Sequence, residues 1–143
     1  MWKDRVFEAL DAQHLFQDRG HRSRFWELID VYSKAPFFTR GLCKCMFMSS
    51  WDDEHFLIML DMLNQLSLAK GMKLADMNEN GELMAEEEAG NYDEEVMKLS
   101  CAFIMDRPYN SDRLPADFDP QGRKIIETSL RAAAIIDSVE SDL

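Results

Sequence analysis

A chain of 143 residues and 16.6 kDa, 46% hydrophobic and 30% charged, is long enough to bury a real core, and its composition excludes a disordered or fibrous chain. Its net charge of −11 is unevenly spread: residues 1–50 carry eight Lys/Arg against six Asp/Glu, and residues 51–143 carry eight against twenty-one. Such a surface repels phosphate backbones, which argues against nucleic acid and suits a basic partner, a cation or plain solvation.

Apolar residues recur at helical spacing almost throughout. Trp2, Val6, Phe7, Leu10 and His14 predict a first helix over residues 3–19, ended by Gly20. Ser23 is placed to cap a second, whose Phe25, Leu28, Ile29 and Tyr32 follow the i, i+3, i+4, i+7 pattern. After a break at residues 33–36, Pro36 suits the first turn of a third helix carrying Phe37, Phe38, Leu42, Cys45 and Met46, with Gly41 weakening it.

Ser49 or Ser50 can cap the fourth helix, with Asp52, Asp53 and Glu54 near its positive end. Residues 56–60 are apolar on every side, which marks this helix as the central, buried one; Leu63, Leu66 and Met72 continue one face. An acidic segment at residues 75–91 interrupts. Asn91 and Glu94 then form a capping-box pattern for a fifth helix through Val96, Leu99, Phe103 and Met105, stopped by Pro108. Residues 107–120 read as an irregular connection, and Asp119-Pro120 as the cap and first turn of a last helix striped with Ile125, Ile126, Leu130, Ala133 and Ile136. No alternating run predicts a strand. The expected fold is all-α: one domain over residues 1–143, a compact bundle of five to six helices with an acidic loop near residues 75–91.

Three cysteines form no readable disulfide framework, the N-terminus lacks a basic-then-apolar leader pattern, and no apolar run is long enough to span a bilayer. The expectation is a cytoplasmic protein with no membrane association.

Residues 76–87 read Asp-Met-Asn-Glu-Asn-Gly-Glu-Leu-Met-Ala-Glu-Glu. This stretch resembles the twelve-residue calcium loop of an EF-hand. Asp76, Asn78 and Asn80 stand at loop positions 1, 3 and 5, Gly81 at the sharp turn, the Glu82 carbonyl at position 7, and Glu87 at the bidentate position 12. Leu68, Met72 and Ala75 lie where the entering helix presents its apolar face, whereas Met84 at position 9 and the polar exit at residues 88–91 depart from the pattern. The resemblance implies calcium as a ligand, bound weakly because asparagine occupies two ligand positions. It does not extend to the rest of the chain.

Other groupings carry chemistry on paper. Asp11 with His14, and Asp52 with His55, share the Asp-x-x-His spacing, which on a helix can place two ligands on one metal. With Glu27 and Glu95 they resemble the carboxylate–histidine sets of di-iron bundles. Cys43, Cys45, Met46 and Met48 gather soft sulfur atoms suited to copper(I), although residues two apart on a helix point about 200° apart. Cys43 or Cys101 could meet His55 as a nucleophile–base pair. No nucleophile elbow or phosphate loop is present. Ten methionines suit an irregular core or an adaptable binding surface, and Trp2 and Trp51 could pack outward against another chain. The reading favoured is a non-catalytic protein-interaction or regulatory module, with a basic protein partner or a second copy of itself. A calcium module at residues 76–87 and a bundle metalloprotein are the alternatives.

Overall fold

The computed structural model describes residues 1–68 and 92–140. Among these the backbone forms α1 (Trp2–Ala12), α2 (Arg19–Tyr32), α3 (Arg40–Ser49), α4 (Asp53–Leu68), α5 (Tyr92–Ile104) and α6 (Pro120–Ser138), with a 3-10 turn at Ser111–Arg113 and no strand. The all-α expectation holds, while the acidic loop near residues 75–91 lies outside the described residues.

Two helices end on a left-handed residue that is not glycine. After α1, His14 adopts φ 55°, and the Leu15 and His14 N–H groups donate to the Leu10 and Asp11 carbonyls at 3.3 and 3.0 Å. That paired closure satisfies carbonyls the helix would otherwise leave open. It also reverses the chain early, so the first helix stops well before Gly20 and sends Leu15 into the core. Gly20 and Ser23 fall inside α2, whose cap is Asp18, accepting from the His21 N–H at 2.8 Å. The same closure ends α5: Asp106 has φ 53° and the Arg107 N–H donates to the Ala102 carbonyl at 2.8 Å, so the helix stops before Pro108 can act.

Pro36 belongs to the turn ahead of α3, and Thr39 is the cap, its hydroxyl accepting from the Leu42 N–H at 3.1 Å. This helix, rather than α4, is the centre of the fold. It packs against α2, α4, α5 and α6, and every residue from Leu42 to Met48 is buried. Gly41 makes the α5 contact feasible, since a Cβ there would sit 2.2 Å from the Phe103 carbonyl oxygen. A residue that weakens the helix in isolation admits its neighbour's backbone.

One hydrophobic cluster draws on all six helices, including Val6 and Leu10, Phe25 and Ile29, Met46 and Phe47, Leu63, Leu99, and Ile126 and Ile136. The stripe expected on the last helix is present, and Asp119 and Pro120 open it as predicted. The expectation for α4 is not met. Met59, Leu63 and Leu66 face the core, but Leu57 and Ile58 are each 62% exposed.

Three basic residues of the first fifty positions, Arg5, Arg40 and Lys44, meet the end of the last helix and the residues after it. Arg40 donates to the Ile136 and Asp137 carbonyls at 3.3 and 2.8 Å, Arg5 to the Glu140 carbonyl at 2.6 Å, and Lys44 pairs with the Asp137 carboxylate at 2.8 Å. Cations at a helix C-terminus answer its open carbonyls and its partial negative charge. Trp2 and Trp51 both turn inward, against expectation. The Trp2 indole N–H reaches the Val139 carbonyl and its ring meets Phe38, while Trp51 is only 3% exposed beside His21. Among the described residues no helix is long and apolar enough to cross a membrane.

Candidate functional site

α4 and α5 both pack on α3 but not extensively on each other. Between them lies a cleft of about 450 Å³. One wall is a single face of α4, with Glu54 and His55, then Ile58 and Met59, then Met62 at successive turns. The other wall is a face of α5 with Asp93, Val96, Met97, Ser100, Cys101 and Ile104. Cys45, Met48 and Ser49 of α3 form the floor. Both walls repeat at three- and four-residue steps, as the exposed faces of adjacent helices must.

The lining is mainly apolar, and methionine supplies much of it through Met48, Met59, Met62 and Met97. Unbranched thioethers repack at little cost, which suits a surface that must fit an irregular partner. Ile58 and Met97, 62% and 53% exposed, line the cleft and face water; Leu57, next to Ile58 on α4, is exposed but does not line it. The charged lining groups are the carboxylates Glu54 and Asp93, with no Lys or Arg among them.

Ser49, His55 and Ser100 of the lining are engaged in structural hydrogen bonds. Asp52 caps α4: its carboxylate accepts from the His55 backbone N–H at 2.8 Å and lies 2.8 Å from the ring Nδ1. The Asp-x-x-His spacing is therefore a cap and the residue three positions on, the carboxylate meeting both the backbone N–H and the ring of His55. A third such pair, Asp18 and His21, shares the backbone cap at the start of α2, but its ring turns inward to other partners. Sequence reasoning passed over it, although the aspartate ahead of an apolar helical run was its signal. His21 is fully buried. Its Nδ1 accepts from the Gln17 N–H at 3.1 Å, so Nε2 carries the proton that reaches the Phe47 carbonyl at 2.8 Å. Burial, opposed in part by the Phe47 carbonyl, pushes its pKa down to about 4.

Behind the α5 wall, Glu95 is fully buried. It accepts a forked pair of hydrogen bonds from Arg113, one of them at 2.9 Å, together with the Tyr109 hydroxyl and Lys98 at 3.4 Å. Burial and the Glu95 carboxylate push the Tyr109 phenol up. The arrangement ties α5 to the connection before α6.

The groupings anticipated for chemistry are placed as follows. Asp76, Asn78, Asn80, Glu82 and Glu87 lie outside the described residues. Asp11 pairs with Arg22 at 3.2 Å, His14 is exposed in its left-handed turn, and Glu27 is exposed on α2. Glu95 is bound to Arg113 and Tyr109 as above. These residues therefore do not assemble the di-iron pattern, and among the described residues no three His, Cys, Asp or Glu side chains gather to hold a metal ion. The sulfur cluster is likewise dispersed: Cys45 and Met48 reach the cleft floor, whereas Cys43 and Met46 do not line it. Burial raises the pKa of Cys43, Cys45 and Cys101, and the Cys45 thiol donates to the Ser100 carbonyl at 3.4 Å. Cys101 and His55 do line the same cleft, but a thiol held neutral by burial is a poor nucleophile.

No protein-family model, no curated protein and no solved structure matches the chain.

Proposed function

We propose that this chain is a non-catalytic protein-binding module that docks a basic partner on the cleft between α4 and α5. The observation that carries the reading is the exposure of Ile58 and Met97, two large apolar side chains in the lining of an apolar cleft, with Leu57 exposed next to Ile58 on α4. A stretch apolar on every side, as residues 56–60 are, is ordinarily buried, yet Leu57 and Ile58 are exposed while Met59 faces the core. Covering a large apolar side chain fully is worth about 1.5–3 kcal/mol, so a partner seated there gains from each. Acidic lining and a net charge of −11 favour a basic partner over an acidic one.

The test is a photo-cross-linking residue at Leu57 in the full chain, used in cells, with a second at the exposed Val31 of α2 as control. A discrete protein adduct from position 57 that is absent at position 31, and lost when Ile58→Asn is added, supports the reading. An adduct of twice the chain's own mass would make the partner a second, equally acidic copy and overturn the basic partner. Identical adducts from both positions, or none from either, overturn it.

A further inference from the structure

Among the described residues the cleft has the form of a helix-binding groove. Its walls and floor are helical faces, and the α5 wall runs from Asp93 to Ile104, a length of about 16 Å or three turns at 1.5 Å per residue. The α4 wall from Glu54 to Met62 covers about two turns. Both helices rest on α3 without closing on each other, and the ridges of a further helix fit between such faces as they fit anywhere in a bundle.

We infer that the partner segment seated here is a single amphipathic α-helix with Lys or Arg beside its apolar stripe. The inference rests on the reading of this cleft as a protein-docking surface, and adds the chemistry of what docks. Large apolar side chains at i, i+3 or i+4, and i+7 of the incoming helix enter between Met59 and Met97, the recurrent helix-in-groove mode. Lys or Arg on its flanks meets Glu54 and Asp93, each in the first turn of its wall helix. A second copy of this chain would bring the same carboxylates against themselves, and an anionic lipid surface would be repelled by them.

The experiment uses three fluorescently labelled synthetic peptides of about eighteen residues, or five turns. One carries leucine at i, i+3, i+4 and i+7 with lysine elsewhere, one is the same composition scrambled, and one replaces each lysine by glutamate. Anisotropy titration against the full chain should show saturable binding of the first, weakening as salt rises, and at least about tenfold weaker binding of the other two. The charge-neutral changes Ile58→Asn and Met97→Gln, at side chains exposed enough to leave folding intact, should each weaken the first peptide by about tenfold. Methyl NMR should place its shifts on Met59 and Met97. Equal binding by the scrambled peptide, or no effect of Ile58→Asn, overturns the helix. So does a dimer of the chain dissociated by that same change. Should the peptides fail while the cross-link from position 57 still captures a partner, the helix is wrong and the docking surface stands. Failure of both removes the surface as well.

Discussion

Acidification should unfold this protein partly through one histidine. His21 is buried with both ring nitrogens engaged, Nδ1 accepting from Gln17 and Nε2 donating to Phe47, an arrangement only the neutral ring can satisfy. Its folded pKa of about 4 lies below the ordinary 6.5, chiefly through desolvation. The unfolded chain therefore binds the proton more readily, and stability is full above pH 6.5 and declines as pH falls toward 4. At 1.36 kcal/mol per pH unit this single site costs about 2 kcal/mol at pH 5 and about 3 kcal/mol by pH 4. Carboxylates contribute their own acid dependence, so the comparison is with His21→Gln, which keeps an amide donor for Phe47 and does not titrate. Urea unfolding of both proteins between pH 7.5 and 4.5 measures the difference. The wild type should be the more stable at neutral pH and lose that advantage on acidification. Parallel pH profiles, or a ring that titrates near 6.5 by NMR in the folded protein, would refute the assignment.

Gly41→Ala should destabilise despite the better helix propensity of alanine, by about 2 kcal/mol, because the added Cβ meets the Phe103 carbonyl and α5 must shift. Thermal melting reads this, and an unchanged or raised Tm would show that the two helices do not approach so closely. Glu95→Ala leaves the buried Lys98 and the partly exposed Arg113 without that carboxylate and should cost about 3–5 kcal/mol, against about 1.5–3 kcal/mol for Tyr109→Phe, which removes one hydrogen bond to a charge. Denaturant titration should return that order; the reverse order would place the weight of the network on the phenol. The resemblance of residues 76–87 to a calcium loop predicts that millimolar calcium raises the melting temperature and that Glu87→Gln abolishes the rise. No shift in the unaltered chain ends that reading.

Much of the architecture could be read from residue order. The apolar spacing of residues 25–32 and 125–136 and the Asp119-Pro120 cap depend on local backbone physics, and the structure bears them out. Helix ends were read less well where two signals competed. Gly20 looked like a terminator, but His14 accepts the left-handed turn first and Asp18 caps the next helix. The Asp-x-x-His pairs looked like metal ligands because three-residue spacing serves a cap and a ligand set equally well. Which one is present depends on whether a helix begins at the aspartate, as it does after Asp18 and Asp52 and does not after Asp11.

The candidate site lies where the apolar run of residues 56–60 predicts burial. Five consecutive apolar residues in α4 suggest a helix surrounded by others, whereas α3, with Gly41 in its first turn, holds the centre. Local sequence specifies that a segment is helical and how much of its circumference is apolar, because those properties follow from backbone geometry and side-chain transfer energies within a few turns. It does not specify which neighbour covers each face. That is settled by long-range packing, here by the carbonyl of Phe103 closing onto Gly41 while α4 stays apart from α5, which leaves Leu57, Ile58 and Met97 facing water.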